Sequence, residues 1–166
     1  MGKKTGNSEW RSGCPLNASV EMLGDQWSLL IIRDMMLRGA RTFTEFLDSY
    51  EMIATNVLAD RLRRLEANGI LTREQDAKDR RKQIYRLTVK GIDLGPVLTE
   101  MVLWAAAHEE TENAALVRRM RKDKKGFLAG IRQRWAEAAG GAGTRRMRPG
   151  RSSKHEKQDS GSATRG

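Results

Sequence analysis

The chain contains one cysteine, Cys14, among 166 residues. An intrachain disulfide is therefore excluded, the framework of a disulfide-stapled secreted scaffold goes with it, and a reducing cytoplasm is the compartment expected. Histidine is nearly as scarce, with only His108 and His155. No Cys/His cluster has metal-ligand spacing, so neither a metal nor another cofactor is expected. A Gly-rich phosphate loop is missing, as is any Ser, His and carboxylate set that would support acyl transfer, and the sequence does not read as an enzyme. Long apolar runs are lacking too. The strongest, Leu29 to Ile32, is far too short to span a bilayer, and Met1 to Gly6 has no apolar signal core. Gly6 also stands where a myristoylation motif needs Ser or Thr. A soluble protein without a membrane partner is expected.

What is present is positive charge. Thirty-one Lys and Arg against 21 Asp and Glu leave +10, which favours a polyanionic partner through counterion release. The segment 140–166 holds seven basic and two acidic residues, hence half of that excess. Its Gly, Ser, Arg and Lys composition predicts a disordered basic tail, either adding affinity without reading sequence or standing as a solvated, inert extension. Residues 1–13 are polar and aperiodic, as expected of a flexible N-terminal arm.

Between these ends the periodicity changes in an informative order. Pro15 suits a first helical turn, followed by Leu16, Val20, Met22 and Leu23 at helical spacing. Asp25 can cap a second helix, Gln26 to Leu37, that is apolar over most of its circumference and ends at Gly39. Thr42-Phe43-Thr44-Glu45 has the pattern of a capping box, opening a third helix to about Tyr50. A fourth helix, about Thr55 to Asn68, carries Leu58, Leu62 and Leu65 as one stripe, with Asn68-Gly69 closing it. Ile70 to Glu74 and Gln83 to Leu87 flank a charged loop and read as a hairpin. Thr88 can cap a long helix to about Glu110, bent at Pro96. Residues 111–139 are highly charged and helix-favouring, with interruptions expected at Gly126 and Gly130.

The fold class expected is mainly α with a small β-hairpin (α+β): a winged helix-turn-helix in residues 14–110 ending on a long dimerisation helix. In such an arrangement the third helix braces the fourth, whose free face can enter a major groove. Opposite the leucine stripe stand Thr55, Asn56, Ala59, Asp60 and Arg63. Asn56 has the geometry to read adenine, Arg63 guanine or a phosphate, and Thr55 a phosphate or thymine methyl. Asp60 would be repelled by phosphates unless it accepts from cytosine or pairs with Arg64 at i+4; the pairing is the expectation. Lys78, Arg80, Arg81 and Lys82 would form a basic wing on flanking phosphate or the minor groove. Two functions follow: a sequence-specific double-stranded DNA-binding regulator, or an RNA- or protein-binding winged helix whose tail binds without specificity.

Cys14-Pro15-Leu16, Leu23-Gly24-Asp25-Gln26-Trp27, Phe43-Thr44-Glu45-Phe46, Val57-Leu58-Ala59-Asp60-Arg61-Leu62-Arg63-Arg64-Leu65-Glu66-Ala67-Asn68-Gly69 and Tyr85-Arg86-Leu87-Thr88 follow in unbroken order. This pattern resembles the HxlR-type winged helix-turn-helix regulators over about Cys14 to Glu110. The resemblance implies a cytoplasmic, nucleoid-associated homodimer on a palindromic operator. Its interface would involve Leu16, Val20, Leu98, Met101, Val102, Trp104, Ala105 and His108; the alternative is that these side chains cover the monomer's own core. The family often carries Ser where this chain has Ala54, so the cap of the fourth helix is expected to shift to Thr55. Some relatives sense oxidants or electrophiles through a cysteine at the position of Cys14, which implies a small-molecule or electrophile effector. A Cys just before Pro15 lies at a helix N-terminus, where aligned amides favour an anion. The competing expectation is a reduced structural thiol packed at the dimer interface.

Overall fold

A computed structural model describes residues 10–140. The basic tail, His155 and most of the N-terminal arm lie outside the described residues. The chain forms eight α-helices among the described residues and one two-stranded antiparallel hairpin. The first helix, α1 (Pro15–Leu23), starts on its proline. Asp25 caps α2 (Gln26–Arg33), accepting from the amides of Trp27 and Ser28, both at 3.0 Å. The expected final turn of that helix widens into a π-helical turn, Asp34–Arg38, closed by Gly39 at φ 75°. That left-handed conformation carries a Cβ penalty that glycine lacks.

The capping box forms as its four residues predict and opens α3 (Phe43–Leu47). This helix is shorter than its sequence suggests: Asp48 and Ser49 close it, and the chain turns through Tyr50 and Met52 before α4 (Thr55–Ala67). Leu58, Leu62 and Leu65 of α4 are buried to 2 % exposure or less, together with Ile32 and Phe46. Strands β1 (Leu71–Gln75) and β2 (Gln83–Leu87) pair with Leu71 opposite Leu87 and Gln75 opposite Gln83. The outer edge of β2 is held by one further bond, from the Tyr85 amide to the Arg41 carbonyl at 2.7 Å. Tyr85 also meets the Phe46 ring edge-on, with centroids 6.0 Å apart. The hairpin is thereby fixed to the segment between the π turn and α3.

The single bent helix expected after Thr88 is instead two helices, α5 (Val89–Ile92) and α6 (Gly95–His108). Pro96 lies in the first turn of α6, where its missing N–H costs nothing, so the chain restarts a helix there rather than bending one. Thr88 caps only α5, through the Gly91 amide. Its hydroxyl also donates to the Gly69 carbonyl at 2.7 Å, tying α5 to the end of α4.

Beyond His108 come α7 (Ala114–Lys122) and α8 (Lys124–Gly140). Gly126 and Gly130, the expected interruptions, both lie inside α8; the break falls at Asp123, whose carboxylate accepts from the Gly126 amide and begins the new helix. Met120, Phe127 and Ile131 join the same core cluster as the leucines of α4. The charged extension is amphipathic, and its apolar side is part of the hydrophobic core.

Candidate nucleic-acid interface

The side chains that face away from the leucine stripe of α4 are Thr55, Asn56, Ala59, Arg63 and Arg64, all exposed, with Asp60 half-buried beside them. The first helical bond of α4 runs from the Leu58 amide to the Ala54 carbonyl, so Ala54 holds the cap position with no side-chain bond. The shift of the cap to Thr55 does not occur, because the frame of the helix is set by the burial of Leu58. Asp60 corrects a second expectation. It pairs with Arg63 at 3.2 Å and approaches Arg61 at 3.7 Å, leaving Arg64 without a carboxylate among the described residues. Arg63 therefore carries a partly neutralised charge, and Arg64 a free one.

Two contacts aim α4, and neither was read from the sequence. Arg33 of α2 makes a two-pronged ion pair with Glu51, at 2.6 and 2.9 Å, and also donates to the buried Asp34. Glu51 lies in the turn that leads into α4, so this pair anchors the turn to the core helix. The hydrogen bonds from Arg33 hold the Glu51 carboxyl down to about 2, burial opposing the shift and the Ser49 hydroxyl aiding it. On the other side, Arg61 of α4 lies 3.5 Å from Asp25, the cap of α2. Burial raises the Asp25 carboxyl, but hydrogen bonds from Ser28 and Trp27, with the Arg61 charge, outweigh it and leave it lowered. The sequence signal for both pairs was weak, because their partners lie far apart along the chain and opposite charges abound.

The hairpin tip is organised by its own acids. Asp76 accepts from the amides of Lys78 and Asp79, at 2.6 and 3.1 Å, and Asp79 accepts from the Arg81 amide and guanidinium. These bonds lower both carboxyls below their ordinary range. Lys78, Arg80, Arg81 and Lys82 are all exposed. The wing is thus a braced loop with four cations and two anions, less positive than its basic residues alone suggest.

Residues 22–113 match the model of the HxlR-like helix-turn-helix family. The chain belongs to this family. Its members are transcriptional regulators, not enzymes. The HTH-type transcriptional regulator YodB of Bacillus subtilis is 38% identical over 93 residues, which cover 55% of this chain and 82% of that one. Among solved structures, PA1607 superposes with a TM-score of 0.56 at 34% identity, covering 62% of this chain and 70% of that one. The redox regulator HypR in its oxidised form gives 0.52 at 28% identity, covering 59% and 100%. The family match ends one residue before α7 begins, so α7 and α8 stand outside it.

The side chains named for the dimer interface divide in two. Leu16, Val20, Met101, Trp104 and His108 are exposed, Trp104 to 64% and Leu16 to 71%, while Leu98, Val102 and Ala105 are half-buried. Leu98 and Val102 pack on the core cluster. Cys14 occupies the cap position of α1 and is exposed. No helix among the described residues is long and apolar enough to cross a membrane.

Proposed function

We propose that the protein is a homodimeric, sequence-specific regulator that lays α4 in the major groove of double-stranded DNA and its wing on flanking phosphate or the minor groove. The observation that carries this reading is the division of α4: three leucines bury one face, while Thr55, Asn56, Ala59, Arg63 and Arg64 occupy the other, with the basic wing on the adjoining hairpin. A helix held in this way presents base-reading groups without giving up core contacts. The exposed apolar side chains Leu16 and Val20 on α1 and Met101 and Trp104 on α6 support a second protomer as their cover.

Genomic fragments selected on the purified protein would supply the operator. Asn56→Ala and Arg63→Ala are expected to lose about 1–3 kcal/mol of discrimination at defined base pairs, with little change on random DNA. Neutralising Lys78 or Arg80 should weaken both kinds of DNA alike and lower the salt slope by about one. Binding that ignores sequence and disappears on truncation at Gly140 would overturn this reading in favour of the tail.

We also infer that any oxidant response runs through Cys14, the chain's one thiol, which is exposed at a helix start; the related HypR is a redox regulator. Diamide would couple two Cys14 thiols of a dimer, its diazene taking up both protons and both electrons as it becomes a hydrazine. Release of operator DNA by diamide that persists in Cys14→Ser would refute this.

A further inference from the structure

A cavity of about 440 Å³ lies between the π turn, the hairpin and α8. That volume falls within the range of small-molecule sites, roughly 300–1,000 Å³. Its floor is apolar, from Met36, Leu87, Ile92, Ile131 and Trp135. Its charged lining is four arginines, Arg38, Arg41, Arg86 and Arg134, against one carboxylate, Glu74. Arg38 is paired with Asp34 and Arg86 with Glu74. Arg41 and Arg134, on separate walls of the cavity, make no ion pair among the described residues, although the Glu45 carboxylate accepts from the Arg41 amide at 2.7 Å and feels the Arg41 charge. An apolar floor beside two guanidinium groups that make no ion pair is complementary to a flat apolar body bearing a carboxylate.

We propose that this cavity is a binding site for a small aromatic carboxylate. The α8 wall, with Ile131, Arg134 and Trp135, comes from the part of the chain beyond the family match, so the site is a feature of this chain's extension. The same wall is tied to the base of the wing. The Trp135 indole donates to the Leu87 carbonyl at 2.8 Å, and the Arg86 guanidinium donates to the Ala138 carbonyl at 3.1 Å. An anion bridging Arg134 and Arg41 would lock α8, β2 and the segment before α3 together, and so stiffen the wing. That regulatory consequence rests on the DNA-binding reading, but the occupancy of the site does not.

The test uses 2-naphthoate as probe and its neutral analogue 2-naphthamide, titrated calorimetrically into the full chain without DNA. Saturable naphthoate binding is expected, at least tenfold tighter than the amide. Arg41 is half-buried and Arg134 exposed, so Arg41→Gln/Arg134→Gln should fold; it is expected to lose about tenfold or more in naphthoate affinity, with the amide unchanged. Hydrogen exchange on the wild-type chain should slow in 83–87 and 131–138 when naphthoate is added, a readout that does not depend on the variant. Equal affinity for acid and amide, unchanged affinity in the double variant, protection along 98–105 instead, or no binding at millimolar naphthoate would each overturn the proposal. Because DNA is in neither arm, failure of this site and failure of operator binding are read separately.

Discussion

Glu51 shows how one side chain can aim a whole helix. Its carboxylate is held by Arg33 from the core helix, and Arg33 is held in turn by the buried Asp34. The sign of its pH effect follows from the depressed carboxyl, about 2 in the folded chain against an ordinary 4.5. The ionised form is favoured by folding, so the contribution is complete above about 4.5 and is lost as pH falls toward 2. Glu51→Gln is therefore expected to be less stable than wild type at neutral pH. The two denaturation curves should draw together as pH drops through that window. Asp25 and Glu45 are lowered too, so the variant should keep part of the acid sensitivity. A gap that stays constant from neutral pH to 2 would remove the Arg33 pair as the cause. Since Glu51 is a third exposed, solvent screening limits the size of the effect.

At the scale of elements, the joins between helices carry the most specific requirements. Gly91 in α5 lies so close to the end of α4 that a Cβ there would sit 2.2 Å from the Ile70 carbonyl oxygen. Backbone cannot yield as a side-chain tip can, so Gly91→Ala should destabilise by roughly 1–3 kcal/mol in chemical denaturation, as overpacking does. The wing offers a prediction in which charge and order oppose each other. Asp76→Ala raises the net charge by one, which alone would tighten DNA binding, yet it removes the acceptor for two loop amides. Faster amide exchange over 77–82 and weaker operator binding are expected. Tighter binding would mean that the loop acts only as a cluster of cations.

For the whole molecule, the decisive features are the exposed apolar face and the extension. Trp104→Glu places a charge where the proposed second protomer would bury an indole, and sedimentation should report a monomer with helical content unchanged. A dimer that persists would move the interface elsewhere. The core reaches into the extension through Met120, Phe127 and Ile131, so the helices beyond the family match are structural neighbours of α6 and the π turn.

Much of this was legible before any coordinates. The capping box at Thr42, the leucine stripe of α4, the Gly39 and Gly69 helix ends and the two strands follow from local rules, because capping geometry, 3.6-residue periodicity and left-handed glycines act over a few residues. The family itself was legible for the same reason, in the order of those elements. Contacts between distant residues were not. The pairing of Asp60 with Arg63 instead of Arg64 depends on which rotamers the packed helix leaves free. The Arg33–Glu51 and Arg61–Asp25 pairs join residues 18 and 36 positions apart, and the arginine-lined cavity needs α8 folded against β2. The sequence determined which segments become helix, turn and wing, since each needs only its neighbours. Tertiary structure alone decided which charges are neutralised and which remain for a ligand, since Coulomb interactions depend on distance through space.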